Sequence, residues 1–259
     1  MYYMVTTMDL RELFHLLFLR QFSDRFRERH WAVKGGICLR FFHRSQRLSE
    51  DMDFDIEPNV QVGTLQKGVG QILSGGSLKS NLNSRGVTKM EYTSPKQTST
   101  TQRWKVALIT GRGHPLTTKL EFSRRIRKVS YTSGLPSPEI LERHIYPPFT
   151  SRYYGAGAMV AQKVAALADP GRNASRDLFD LDHLLTNLGT GPDQYLNLTE
   201  KSVITGAVAQ ASRFAWRDFR EEVLPYLEPE VMESFQKQAN FDALQSRVVS
   251  TLARVAGKI

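Results

Sequence analysis

A single cysteine, Cys38, is the whole thiol content of the chain. It excludes an internal disulfide and any cysteine-rich zinc site. Long uncharged hydrophobic runs are missing as well. The N-terminal stretch is rich in Leu and Phe, but Asp9, Arg11, Glu12 and Arg20 interrupt it. No segment there suffices for a signal-peptide core or a membrane span, so the sequence reads as a soluble cytoplasmic protein with no membrane partner. His15, His30, His43, His114, His144 and His183 fall at no ligand spacing, and none pairs with Cys38 in a nucleophile pattern. No internal repeat is visible. Acidic residues are the minority charge: 26 Asp and Glu against 35 Lys and Arg leave a formal charge of +9. That balance favours an anionic partner, whether nucleic acid, nucleotide or acidic membrane face, without choosing among them.

What is present fits a globular protein with a real core: 259 residues, 41% hydrophobic and 10% aromatic, enough for one large domain or two small ones. Leu10, Leu13, Phe14, Leu17, Phe18 and Phe22 recur at helical spacing and predict a helix from Met8 to Arg29, with Asp9 favourable near its start. Trp31-Ala-Val33 reads as a short strand running into Lys34-Gly35-Gly36, with a helix following through Phe42. An acidic strand comes next, then a helix around Leu65 to Leu73. The Gly- and Ser-rich stretch Ser74 to Asn83 reads as a loop. Val87 to Thr93 and Arg103 to Thr110 form an antiparallel pair joined by the polar tract Ser94 to Gln102, and Leu116 to Ser123 is a further strand. Leu135 to Phe149, with Pro136, Pro138, Pro147 and Pro148, reads as a connector. From Ala156 onward the pattern is helical, broken at Gly189, Gly191, Pro192 and Pro229. The expected fold class is α+β, with an α/β domain over residues 1–135 followed by a C-terminal helical bundle over 150–259.

The stretch Arg47-Leu-Ser-Glu-Asp-Met-Asp-Phe-Asp55 poses the chemical question. Its period-two alternation buries Met52, Phe54 and Ile56 and stacks Asp51, Asp53 and Asp55 on the other face. Asp51 and Asp53 project roughly 7 Å apart along the chain, a spacing at which two carboxylates can grip Mg²⁺ while a triphosphate supplies further oxygens. The plainer alternative is a solvated strand end. Gly35-Gly36, between a strand and a helix, lets backbone approach a phosphate at a helix N-terminus, although no Gly-Lys-Ser/Thr follows and the element is not a P-loop. In Thr117-Thr-Lys-Leu-Glu-Phe-Ser123, Lys119, Glu121 and Ser123 share a face. Glu121 there is either a third metal ligand or half of an exposed Lys–Glu pair. Arg124-Arg-Ile-Arg-Lys128 directly follows, either as a solvated run or as a contact for an RNA backbone.

The order of glycine pair, helix, acidic strand and later acid resembles the polymerase-β-like nucleotidyltransferase superfamily. "VKGGICLRFFHRSQRLSEDMDFDI" is similar to the signature of the AbiEii/AbiGii toxin family of nucleotidyltransferases, which includes the MenT-type toxins. "AMVAQKVAALADPGRNASRDLFDLDHLL" resembles that family's second signature, a helical lysine followed by R-D-x-x-D-L. The resemblance implies a polymerase-β-like core with a mixed or antiparallel sheet. It also implies a two-ion Mg²⁺ site on Asp51, Asp53 and Glu121, and an NTP held by Gly35, Gly36 and Ser49. Lys163 would contact the nucleotide, and Arg176, Asp177 and Asp180 would form the R-D-x-x-D element. Asp177 and Asp180 share a helix face at i, i+3; a structural ion pair between Arg176 and Asp180 is the plainer alternative. Two positions depart from the pattern: Ile37 stands where the family has Ser or Thr, and Ala158-Met159 where a Glu often precedes the lysine.

The implied activity is Mg²⁺-dependent transfer of NMP from an NTP to an acceptor, most simply the 3′ end of a tRNA. The enzyme would then be the toxin of a toxin–antitoxin or phage-defence system, restrained by a cognate antitoxin acting as a partner or as a modifier. Two other readings stay open. One is nucleotidylation of a protein or small molecule. The other is a catalytically weak RNA- or nucleotide-binding module, to which Ile37 points.

Overall fold

The computed structural model describes residues 7–111, 113–124, 130–172, 174–187, 193–196 and 199–258. The chain forms two compact units, Met1–Phe42 with Ser49–Tyr153, and His43–Leu48 with Tyr154–Ile259. The short segment 43–48 thus leaves the first unit and returns to it immediately before the acidic strand.

The first unit opens with α1 (Thr7–Arg25), whose Leu10, Leu13, Phe14, Leu17, Phe18 and Phe22 are all buried. The helix stops short of the expected Arg29. The indole N–H of Trp31 donates to the Phe26 carbonyl (3.0 Å), and a 3-10 turn over Glu28–His30 redirects the chain. Among the described residues seven strands follow: β1 (Trp31–Lys34), β2 (Met52–Ile56), β3 (Val87–Gln97), β4 (Thr101–Thr110), β5 (Leu116–Ser123), β6 (Tyr131–Gly134) and β7 (Ser151–Tyr154). They make one mixed sheet in the order β3-β4-β5-β2-β1-β7-β6. β2 runs antiparallel to β1 and parallel to β5, while β4 is antiparallel to both β3 and β5. The helices of this unit are α1, α2 (Gly35–Phe42), α3 (Val62–Ser74), α4 (Gly76–Asn83) and α5 (Pro138–Arg143).

The alternation of β2 decides which face is core. Phe54 stacks on Phe122 of β5 with ring centroids 4.6 Å apart, Phe22 of α1 packs on both rings, and Trp104 of β4 meets Phe122 edge-on. Helices cover this face: His15 Nε2 of α1 lies 2.7 Å from Thr118 Oγ1 of β5, and Gln102 of β4 donates to the Val62 carbonyl at the start of α3. The opposite face carries the acids.

Several expectations change. Ser74 to Asn83 is not a loop but α4, whose Leu78 and Leu82, one helical turn apart, are buried; apolar spacing outweighs the glycine content. Ser94 to Gln102 is not a connector, since β3 and β4 run through most of it. Only a Thr98–Thr100 turn joins them, closed by Thr98 N–H to the Thr101 carbonyl (3.0 Å). Leu135 to Phe149 contains α5 and lies between two short strands, β6 and β7, that carry too few apolar residues to announce themselves.

The second unit is helical: α6 (Ala156–Ala168), α7 (Arg176–Asn187), α8 (Asp193–Leu196), α9 (Lys201–Ala211), α10 (Trp216–Glu222), α11 (Pro229–Ser234) and α12 (Gln238–Ala256). Phe179, Trp216, Phe219, Phe235 and Phe241 pack as an aromatic cluster. Segment 43–48 is tied into this unit by backbone. Leu48 N–H donates to the Tyr226 carbonyl (2.7 Å) and Glu228 N–H to the Gln46 carbonyl (3.0 Å). Of the expected breaks, Gly189, Gly191 and Pro192 lie outside the described residues, and Pro229 is the first residue of α11. No helix among the described residues is long and apolar enough to cross a membrane.

Candidate active site

Strand register places the acids. Asp53 pairs with Glu121 across the parallel β2–β5 ladder, Lys34 pairs with Asp53 across β1–β2, and Arg103 with Glu121 across β4–β5. Residues opposite one another in a ladder point to the same face. Lys34, Asp53, Glu121 and Arg103 therefore form one row across four strands, on the face turned away from the aromatic core.

The row of acids is not bare, as the sequence alone suggested. Lys119 Nζ lies 2.9 Å from Asp51 Oδ2, Arg103 Nη2 lies 2.6 Å from Glu121 Oε2, and Lys34 forms a buried ion pair with Asp55. Asp55 is thus structural, held down inside the unit. Asp53 alone in the row has no ion-pair partner among the described residues. Burial pushes its carboxyl above the usual value; Lys34 and Lys119 pull it back, and Asp51 and Glu121 push it further up. A desolvated carboxylate flanked by two others is the arrangement a cation would relieve.

Gly35 stands directly against this carboxylate. Its φ is +69°, in the left-handed region, and a Cβ there would sit 2.8 Å from Asp53 Oδ2. Only glycine meets both requirements. Gly36 and Ile37 follow Gly35 in the first turn of α2, whose N–H groups point out along the helix axis. The Ile37 side chain is buried, so no side chain at that position is available to a phosphate. Ser49 spends its hydroxyl proton on the Asp51 carbonyl (2.9 Å), which shapes the entry into β2 and leaves the oxygen free to accept.

Asp51, Asp53 and Glu121 are hard oxygen donors of the kind Mg²⁺ takes, and in chemical type the set fits that ion. As the side chains stand, Lys119 and Arg103 engage the outer two acids. No group of three His, Cys, Asp or Glu among the described residues is gathered closely enough to hold a metal.

The second signature lies in the other unit. Lys163 on α6 contacts Asp177 Oδ1 (2.8 Å) and Asp180 Oδ2 (2.6 Å) on α7, and all three side chains are buried. The i, i+3 spacing does put both acids on one face. Asp180 also receives a two-pronged pair from Arg47, Nε to Oδ1 and Nη2 to Oδ2, both 2.8 Å, and Arg172 reaches Asp177 Oδ2 at 2.6 Å. Burial opposes the Lys163 charge, but Asp180 and Asp177 outweigh it and hold the ammonium above its usual pKa; Arg47 and Lys163 likewise keep Asp180 ionised against burial. Arg176 is exposed and stays out of this network, so the arginine paired with Asp180 is Arg47. Sequence reasoning gave no role to Arg47, Lys34 or Arg103, because their partners are fixed by pairings distant in the chain. Of the basic run after β5 only Arg124 lies within the described residues; it turns inward, donating to the Val60 carbonyl and Gln102 Oε1.

The sequence model of the family described as nucleotidyl transferase AbiEii toxin, type IV toxin–antitoxin system, matches residues 17–254. The chain belongs to that family. As an AbiEii member it is a nucleotidyltransferase of the toxin class, with an NTP as substrate and an antitoxin as its counterpart. No curated protein matches it in sequence. Its fold is similar to that of MenT4, a nucleotidyltransferase toxin from Mycobacterium tuberculosis H37Rv, with a TM-score of 0.63 and 17% identity over 98% of this chain and 85% of that one. It is also similar to JHP933 from Helicobacter pylori, with a TM-score of 0.60 and 18% identity over 96% of this chain and 91% of that one.

Proposed function

We propose that this AbiEii protein is a Mg²⁺-dependent cytoplasmic toxin that transfers NMP from an NTP to the 3′ end of a tRNA. The observation that carries the reading is the side-by-side placement of Asp53 and Glu121 on adjacent parallel strands, with Gly35 against Asp53. In the reaction, the acceptor hydroxyl oxygen bonds to the α-phosphorus as the bond to the pyrophosphate oxygen breaks. Pyrophosphate leaves, and the hydroxyl proton is released. Asp51, Asp53 and Glu121 would hold two Mg²⁺ ions, which when bound stabilise the attacking and leaving oxygens. Gly35, Gly36 and the Ser49 oxygen cradle the triphosphate through backbone and hydroxyl groups. Glu121, beside Asp53 and partly exposed, would accept the proton once its pair with Arg103 opens. Lys163, Arg176, Asp177 and Asp180 are assigned to nucleotide contact on the family resemblance alone.

The test incubates the protein with each α-labelled NTP, Mg²⁺ and a tRNA pool. Label on RNA 3′ ends with the parent protein, lost in Asp53→Asn, supports the reading. Label on protein or a small molecule refutes the tRNA acceptor, and equal transfer by Asp53→Asn refutes the site.

A further inference from the structure

Lys105 of β4 and Lys119 of β5 stand directly opposite each other in the antiparallel ladder. Like charges so placed repel, and Asp51 answers only the lysine on β5. Arg103, two residues along β4 on the same face, adds a third cation, and the register shift in β3 between Thr93 and Lys96 brings Lys96 opposite Arg103. Lys96 and Lys105 are exposed and have no ion-pair partner among the described residues. Lysines on an outer strand are a common guard against edge-to-edge pairing, which accounts for Lys96 on β3. It does not account for Lys105 or Lys119, which lie on interior strands with no free edge to guard.

Sheet order gives this cluster a direction. The glycine turn that would cradle a triphosphate follows β1, the acids sit on β2 and β5, and the cations continue outward on β5, β4 and β3. In an in-line displacement the attacking and leaving oxygens lie on opposite sides of the phosphorus. With pyrophosphate leaving toward the β1 turn, the acceptor must arrive from the β5–β4–β3 side. We infer that the open face of β3, β4 and β5 is the track for the acceptor strand, a single-stranded RNA whose phosphates lie along Lys119, Lys105, Arg103 and Lys96. Its direction rests on the nucleotide-transfer reading. Its charge does not. Two strand spacings, about 10 Å, separate β2 from β4, so the phosphates bound by Lys105 lie upstream of the reacting 3′ end.

The experiment measures binding without NTP, so that it stands apart from catalysis. A fluorescently labelled tRNA pool is titrated by anisotropy with the full chain at several salt concentrations. For the double variant Lys96→Glu/Lys105→Glu the expected affinity is about tenfold lower, and the slope of log affinity against log salt is smaller by roughly 0.7 for each phosphate no longer neutralised. Lys105→Gln, which removes a charge and adds none, should show about half that change in slope. The charge-matched control Lys67→Glu/Lys79→Glu alters exposed lysines of α3 and α4 and should bind as the parent does; melting temperatures confirm that all variants fold. Absence of tRNA binding by the parent, an unchanged double variant, or an equal loss in the control each overturns the track. Failure of label transfer with these binding differences intact would instead refute the transfer reading and leave the RNA-binding face standing.

Discussion

Replacing Arg47 with methionine tests whether the second signature is held together as a buried unit. The Arg47 guanidinium satisfies both oxygens of Asp180 at 2.8 Å, and that carboxylate is fully buried. Methionine fills similar volume but leaves Asp180 facing Lys163 alone. Removing one partner of a buried pair costs about 3–5 kcal/mol, a large part of the roughly 5–15 kcal/mol that holds a domain together. The sign is fixed by what remains: a carboxylate that cannot reach water and keeps only the lysine of its two cationic partners. Removing both partners, as Arg47→Met/Asp180→Leu, should cost less than the sum of the single changes, by about 1–3 kcal/mol of coupling. Urea unfolding followed by far-UV circular dichroism reads this cycle, with the m-value checked for loss of a single transition. A single-variant loss below about 1 kcal/mol, or strictly additive effects, would refute the claim that the pair is buried and mutually dependent.

Other measurements probe the first unit. Gly35→Ala should cost more than Gly86→Ala. Both positions have positive φ, costing about 1–2 kcal/mol for any side chain, but only at Gly35 does a Cβ meet another group, Asp53 Oδ2; equal losses in Tm would refute the close approach. Acid should destabilise the protein in two stages. His15 is buried and its pKa is pushed down from 6.5 to about 3 by desolvation, so the unfolded chain binds the extra proton first. Stability is complete above pH 6.5 and falls as pH drops toward 3, at up to about 1.4 kcal/mol per pH unit. Burial opposes ionisation of Glu12, but His144 and Arg40 outweigh it and hold the carboxyl at about 2, adding a second loss below pH 4.5. Urea midpoints at pH 7, 6 and 5 should fall, and His15→Gln should flatten that fall; a flat parent profile would contradict the burial of a neutral imidazole. Mg²⁺ with an NTP should raise the Tm, by the equivalent of about 2.7 kcal/mol at a hundredfold excess over Kd. Asp53→Asn should lose the shift while melting as high as the parent without ligand.

The sequence displayed the glycine turn, the acidic strand and the paired β3–β4 arm because each is local: strand alternation and a Gly-Gly step need no distant partner. It hid α4 because glycine and serine diluted the Leu78–Leu82 spacing, and it hid β6 and β7 because four-residue strands with half-exposed faces carry little pattern. The neutralisation of the acids was equally hidden. Arg103 faces Glu121 directly across β4–β5, while Lys34 and Lys119 reach Asp55 and Asp51 from neighbouring strands, and only the pairing of four strands brings these cations to the acids. Arg47 is the clearest case. It belongs to the first signature and Asp180 to the second, and no local pattern links two residues so far apart in the chain; their pair forms only in the folded helical unit.

The same register explains how a row of carboxylates survives in a folded chain. Asp55 and Lys34 form a buried pair that would be costly to break from one side. The pairs Lys119–Asp51 and Arg103–Glu121 are different: their side chains keep between 23% and 39% of their exposure, and pairs so exposed contribute about 0–1 kcal/mol each. The strand is thus anchored at Asp55 by an interaction it cannot easily give up, and screened at Asp51 and Glu121 by interactions it can. Asp53 sits between them with no ion pair, beside a glycine that leaves it no side-chain cover. A metal ion arriving at this face would displace two weak pairs and relieve one desolvated carboxylate. The freed Lys119 and Arg103 would then stand beside Lys105, adding their charge to the side from which the acceptor is expected.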